Sequence, residues 1–255
     1  MKLFNLDGKI ALVTGGSRGL GLQIAEGIVE SGGRVVLTAR KADELDQAQA
    51  HLAKLGGEAK VIACDFQNFD SIPEIAGQAM ASFGSLDILV NNAGTSWAAP
   101  TEEHPLSGWE KVMGLNVTAP FLLSKEIANR AFIPARSGKI LNIASIGGLG
   151  GNRADLEMYT IAYNTSKAAL INFTRALATE WGRYDINVNA LAPGFFPSKM
   201  SADLLARIAE KSLPAIPLGR FGNDQDLKGP AVFLVSEAAR HITGQCLAVD
   251  GGATA

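Results

Sequence analysis

Short apolar runs, each ended by glycine or a small polar residue, alternate along this chain with longer stretches whose apolar positions recur at helical spacing. The runs cover residues 9–14, 34–39, 60–64, 86–90, 138–144, 186–191 and 247–252. They are too short for helices and lack the apolar–polar alternation of a half-exposed strand. They predict strands buried on both faces, the pattern of a parallel sheet. Helical spacing fills the gaps at 22–29, 42–55, 109–130, the stretch opening near Tyr163, and 225–236. With no linker and no internal repeat, the alternation predicts one α/β domain over residues 1–255: a doubly wound parallel sheet of seven strands with helices on both faces. Two places break the pattern. Residues 195–217 are helix-like but carry Pro197, Pro214 and Pro217, with apolar Phe195, Phe196, Met200 and Leu204, and read as a lid. Within 109–130, Pro120 removes an N–H and crowds the carbonyl four residues back, on Asn116. A kink is expected there, with the Asn116 carbonyl turned to a water.

Candidate chemistry falls at the carboxyl ends of the runs, the edge where open α/β sheets bind ligands. The first run leads into Gly15-Gly16-Ser17-Arg18-Gly19-Leu20-Gly21 and then a helix. A strand, glycine loop and helix in that order aim backbone N–H groups at a phosphate, although the spacing is G-x-x-x-G-x-G rather than G-x-G-x-x-G. The second run ends in Ala39-Arg40-Lys41, without the acid that would bind a ribose 2′-hydroxyl. Arg40, joined by Arg18, suits a 2′-phosphate, so NADP(H) is favoured over NAD(H). Asp65 is placed to bond an adenine or to serve as a turn or cap carboxylate. Asn91-Asn92-Ala93-Gly94 offers amides and close backbone approach, and Ser145 ends the fifth run as a turn residue or as a site hydroxyl. Tyr163 and Lys167 stand four apart on one helical face. An ammonium one turn away is expected to lower a phenol's pKa, making the two a proton-transfer pair.

Composition narrows the classes. A net charge of −2 points away from nucleic acid and anionic membranes, and no apolar run approaches the ~18 residues of a spanning helix. The start of the chain lacks the apolar core of a secretory signal. Cys64 and Cys246 lie far apart, which suits a reducing, cytoplasmic setting, and the three histidines are scattered, so no metal site is expected.

Taken in order, the glycine loop 14–21, Asn91-Asn92-Ala93-Gly94, Asn116, Ser145, the Tyr163/Lys167 pair, Pro193-Gly194 and Asp250-Gly251-Gly252 resemble the short-chain dehydrogenase/reductase family over nearly the whole chain. The stretches 91–97, 107–113 and 197–200 look like its NADPH-dependent 3-oxoacyl reductases, including the rhamnolipid-pathway type, and sugar-acid dehydrogenases are similar. The resemblance implies a Rossmann-type fold and reduction of a ketone, most simply a 3-oxoacyl thioester or other β-keto compound. A gluconate-type sugar-acid or polyol dehydrogenase is the alternative. It implies that Tyr163 transfers the proton, Ser145 stabilises the oxygen, Lys167 tunes Tyr163 and holds the nicotinamide ribose, and Asn116 holds a water behind Lys167. The implied cofactor contacts are Gly15, Ser17, Arg18, Gly19, Leu20, Arg40, Asp65, Phe66, Asn91, Ala93, Gly94, Tyr163, Lys167, Pro193, Gly194, Phe196 and Ser198. The implied partners are a small carbonyl or alcohol substrate and three copies of the chain in a homotetramer, with no nucleic acid and no membrane. A non-catalytic dinucleotide sensor or scaffold is the competing class, but such a member should have lost Ser145, Tyr163 or Lys167. One departure from the family stands out: Ser145 and Tyr163 are 18 positions apart, several more than usual. The extra residues, 150–157, are expected to reshape the pocket rim or an interface. Tyr159, 14 positions after Ser145, sits nearer the common spacing but has no lysine one turn on.

Overall fold

In the computed structural model, which describes residues 2–197 and 201–255, seven strands pair in parallel in the order β3-β2-β1-β4-β5-β6-β7. They are β1 (Ile10–Thr14), β2 (Arg34–Ala39), β3 (Ala59–Ala63), β4 (Ile88–Asn91), β5 (Gly138–Ile143), β6 (Ile186–Pro193) and β7 (Cys246–Val249). Successive side chains leave opposite faces of a strand, and here both faces are buried. Ala11, Val13, Val35, Leu37, Ile88 and Val90 face one core; Ile10, Leu12, Val36 and Leu89 face the other. The first core is covered by α1 (Gly19–Glu30), α2 (Ala42–Lys54) and α9 (Lys228–Val235). The second is covered by α3 (Ile72–Ala81), a rod made of α4 (Leu106–Met113), α5 (Ala119–Ile127) and α6 (Ile133–Ala135), and α7 (Ile161–Trp181). The remaining helix, α8 (Ala202–Ser212), packs Leu205 and Ile208 on Leu156, next to the carboxyl edge of the sheet. No described helix is long and apolar enough to cross a membrane.

Where Pro120 predicts a kink, the rod widens rather than breaks. Gly114–Thr118 is a π turn, with the Ala119 N–H bonded to the Gly114 carbonyl five residues back. A second π turn, Ala128–Phe132, precedes Pro134 in the same way. Each proline withholds the N–H that the carbonyl four residues earlier would have accepted, and the longer bonds take up the slack.

Polar residues inside the apolar runs tie the layers together. Asn91 Nδ2 donates to Asn142 Oδ1 at 2.8 Å and to Ser124 Oγ at 3.1 Å. Asn142 Nδ2 donates to Thr174 Oγ1 at 2.9 Å. This buried row joins α5, β4, β5 and α7, and a buried amide left without partners costs about 1–3 kcal/mol. Asn142→Ala is therefore expected to lower unfolding free energy by at least that much, measured by urea denaturation. A loss within error of zero would contradict the row's role.

Candidate active site

Strand order reverses between β1 and β4, which opens a crevice at their carboxyl ends. The turn after β1 is fastened there from the far side. Thr14 Oγ1 donates to the Val90 carbonyl and accepts from the N–H groups of Asn92 and Ala93. Asn92 Nδ2 donates to the Thr14 and Gly15 carbonyls at 2.8 and 3.1 Å. Gly15 has φ +63°, and a Cβ on Gly21 would fall 2.4 Å from Asn92 Nδ2 and from the Gly15 carbonyl oxygen. The loop thus needs glycine for shape and for clearance. It delivers the start of α1, where Arg18 occupies the N-cap without a side-chain cap bond and no acid lies in the first turn. Uncapped N–H groups on a glycine cradle fit a dinucleotide's phosphates.

Farther along the edge, β5 ends beside α7. Ser145 Oγ accepts from the Gly147 N–H at 3.1 Å, and its hydroxyl acts on the Tyr163 phenol to lower its pKa. Lys167, only 5% exposed, donates from Nζ to the Ile143 carbonyl at 2.7 Å, and its Nζ lies 5.6 Å from the Tyr163 ring centre. Burial holds the Lys167 ammonium down to about 8. Asn116 is buried; its Nδ2 donates to the Thr95 carbonyl and Ser166 Oγ, and its Oδ1 accepts from the Thr95 N–H. Gly94 passes beneath this group: a Cβ there would lie 3.3 Å from Asn116 Oδ1 and 3.6 Å from Lys167 Nζ. Ser145, Tyr163, Lys167, Asn116 and Gly94 therefore converge at one place.

The sequence reading of the phenol has the wrong sign for the free chain. Burial pushes the Tyr163 phenol above its ordinary range, while the Ser145 hydrogen bond pulls it back; the ammonium does not govern it. Lys167 is itself desolvated and turned toward the Ile143 carbonyl. The second tyrosine stands apart. Tyr159 precedes α7, is 52% exposed, and accepts a bond from the Ala99 N–H on its carbonyl.

Several candidate cofactor contacts turn elsewhere. The Asn91 amide is spent inside the sheet, and its neighbour Asn92, named in the same run but not among the expected cofactor contacts, points its amide at the turn after β1. Phe66 buries its ring in the second core, which leaves only its backbone for a ligand. Asp65 is exposed and accepts from the Gln67 N–H at 3.0 Å, the turn role, with its other oxygen outside that bond. Asn116 spends both Nδ2 hydrogens and accepts one bond on Oδ1 within the protein. Arg40 is exposed, and Arg18 reaches a carboxylate, Glu44, at 2.8 Å. Ser17, Gly19 and Leu20 follow the loop; Pro193 ends β6, and Gly194 and Phe196 border the cleft. Ser198 and Met200 lie outside the described residues.

The site opens into a cleft of about 1190 Å³. Its rim includes Gly150, Gly151, Asn152, Arg153, Leu156 and Glu157, so the extra residues line the pocket. Gly148 lets this loop cross α7 at Lys167, since a Cβ there would lie 2.6 Å from the Lys167 carbonyl carbon. Asn152 donates to the Met158 carbonyl and Thr160 Oγ1, and Asn164 donates to Asn152. Leu156 then anchors the loop on Leu205 and Ile208 of α8.

A family model described as enoyl-(acyl carrier protein) reductase matches residues 15–254. Gluconate 5-dehydrogenase of Gluconobacter oxydans is 39% identical over 255 residues, covering 99% of this chain and 97% of that protein. The rhamnolipids biosynthesis 3-oxoacyl-(acyl-carrier-protein) reductase of Pseudomonas aeruginosa is also 39% identical over 255 residues, covering 98% and 97%. Among solved structures, a gluconate 5-dehydrogenase from Burkholderia cenocepacia in complex with NADP and tartrate superposes with a TM-score of 0.92 at 31% identity, covering 99% of this chain and 98% of that one.

The buried lysine makes stability depend on pH. Its pKa is about 8 in the folded chain against an ordinary 10.5. Between those values the unfolded chain keeps a proton that the folded chain has released, so stability rises with pH across this window. Lys167→Met removes that dependence. Without added cofactor, thermal melts should show wild type gaining on the variant from about pH 8 to about pH 10.5, by up to about 3 kcal/mol. A flat difference would refute it.

Proposed function

The chain belongs to the short-chain dehydrogenase/reductase family and is an NAD(P)-dependent oxidoreductase; from that premise we propose that it uses NADPH to reduce the ketone of a 3-oxoacyl thioester or related β-keto compound to a secondary alcohol. One observation carries the reading: the Tyr163 phenol and Ser145 hydroxyl, paired beside buried Lys167, open into a long cleft whose far wall is apolar. Leu156, Met158, Phe195, Leu204 and Leu205 make that wall, which suits an acyl chain better than a polyol. Arg18 and Arg40 support NADP(H), and solved relatives carry NADP.

In this reading the dinucleotide lies along Gly15, Ser17, Gly19, Leu20, Asp65, Ala93, Gly94, Pro193, Gly194, Phe196 and Ser198. Bound there, NADP(H) supplies hydride to the carbonyl carbon or takes it from the alcohol. Tyr163 gives its proton to the carbonyl oxygen as negative charge builds on it, and its raised pKa keeps the phenol protonated at neutral pH. Ser145 donates a hydrogen bond to the same oxygen. Lys167 steadies the phenolate left behind and draws its replacement proton through a water on the Asn116 carbonyl. Residues 195–217 serve as the substrate lid. Two copies of the rod and of α7 pair in a homotetramer; Phe121, 47% exposed and edge-on to Phe173, supports these faces.

A second reading, oxidation of a sugar acid, is favoured by Arg207 on the cleft wall, which suits a carboxylate, whereas Arg153 beside it is held by Asp155. Steady-state rates over β-keto thioesters, simple ketones, gluconate and polyols, with each cofactor, separate the two. Faster turnover of gluconate than of any β-keto thioester would replace the leading reading with the second.

Tyr163→Phe is expected to lower kcat at least ~100-fold, with NADP+ affinity kept within about threefold. Tyr159→Phe should retain most activity. Equal turnover in Tyr163→Phe and wild type would remove the phenol from the mechanism.

A further inference from the structure

The second strand ends without an acid, yet the structure brings one to the same place from the next helix. Glu44, in the first turn of α2, sets Oε1 2.8 Å from Arg18 Nη1 and 3.3 Å from Lys41 Nζ. The carboxylate side chain is 19% exposed, whereas Arg18 and Lys41 are 47% and 59% exposed. The acid is thus the settled member of the group and the cations are the movable ones. Arg18 is also the N-cap of α1, so this cluster stands beside the uncapped phosphate cradle. Arg40, at the end of β2, makes no ion pair among the described residues.

We infer that Glu44 occupies, on Arg18 and Lys41, the place that the 2′-phosphate of NADP(H) must take, and so limits the preference for NADP(H) over NAD(H). The inference rests on the NADP(H) reading above. A 2′-phosphate carries up to two negative charges and must draw the two cations away from Glu44 or bind against its charge. A 2′-hydroxyl does neither, and can itself donate to the carboxylate. Glu44 therefore acts against one cofactor and not the other. Glu44 is a specificity residue acting through Arg18 and Lys41, without a part in the chemistry at Tyr163.

Isothermal titration with NADP+ and with NAD+ tests this on the whole chain, independently of turnover. Glu44→Gln keeps the side chain's shape and removes its charge. Each partly exposed ion pair it dissolves is of the order that shifts binding about two- to fivefold, so NADP+ should bind about three- to tenfold more tightly, and NAD+ no more tightly than before. Glu44→Ala should act in the same direction, which guards against an effect of the new amide. In an Arg18→Ala background the gain from Glu44→Gln should shrink, as a double-mutant cycle reads. An NADP+/NAD+ affinity ratio that stays put or falls in Glu44→Gln overturns the inference. Wild type binding NAD+ more tightly than NADP+ would instead overturn the cofactor reading, and the change on substitution would still be read separately.

Discussion

A buried ammonium on the carbonyl that ends a strand is the constraint that the site is built around. Lys167 Nζ reaches the Ile143 oxygen at 2.7 Å, at the last residue of β5. A buried charge without such an acceptor is strongly disfavoured, and even with it the group is held down to about 8. The bond ties α7 to the sheet two residues before Ser145. The distance from Ser145 to Tyr163 in space is thereby set by a strand end and one helical turn, not by the loop between them. The same desolvation that penalises Lys167 as a cation raises the phenol next to it. In the free chain both groups are shifted toward their neutral forms.

Around this bond, the polar groups that reach the edge are fixed by other polar groups that do not. Asn116 is committed to Thr95 and Ser166, which holds the loop at Thr95 next to Gly94. Asn91 and Asn142 are committed to each other, to Ser124 and to Thr174. Each amide nitrogen has its acceptors, so the layers cannot slide without leaving a buried donor unpaired. That rigidity sits beneath a crevice whose other wall, near α8, is held by the apolar contacts of Leu156 with Leu205 and Ile208 and by hydrogen bonds between Lys211 and the turn at Arg153 and Asp155.

Periodicity made the sheet legible, because strands buried on both faces leave continuous apolar runs. The Tyr163/Lys167 pair was legible because helical spacing puts four-apart residues on one face. The helix at Ile72–Ala81 was passed over, although Ile72, Ile75, Ala76 and Ala79 carry its spacing and Pro73 its start. Pro120 signalled an irregular turn, but whether a helix breaks or widens depends on neighbours that supply the alternative bonds. Which of two adjacent asparagines faces the crevice depends on where β4 ends, a matter of one residue. The sign of the Tyr163 shift was illegible for a deeper reason: proximity of a lysine is written in the sequence, whereas desolvation belongs to the packed core. Glu44 was missed because the rule for the second strand looks at its end, and the acid arrives from the following helix. A polar residue inside an apolar run, as in Ile-Leu-Asn-Ile around Asn142, was the available signal for the buried row.

The 18 positions between Ser145 and Tyr163 are taken up by a loop that leaves the sheet edge and returns to it. The chain leaves Ser145 through a single tight turn, crosses α7 at Gly148, swings out to Leu156, and returns to Thr160. Asn152, Thr160 and Asn164 close the excursion, and Asn164 is the neighbour of Tyr163. Extra residues are thus spent before the helix begins, and α7 starts at Ile161 with Tyr163 in its first turn. A loop closed this way adds little entropy cost with length, yet it gains a new anchor, because Leu156 reaches α8. The pocket roof and the start of the helix that carries the phenol become parts of one connected arm. Changes in the roof can then reach Tyr163 through three hydrogen-bonded side chains, while the Lys167 bond to Ile143 keeps the other end of the pair in place.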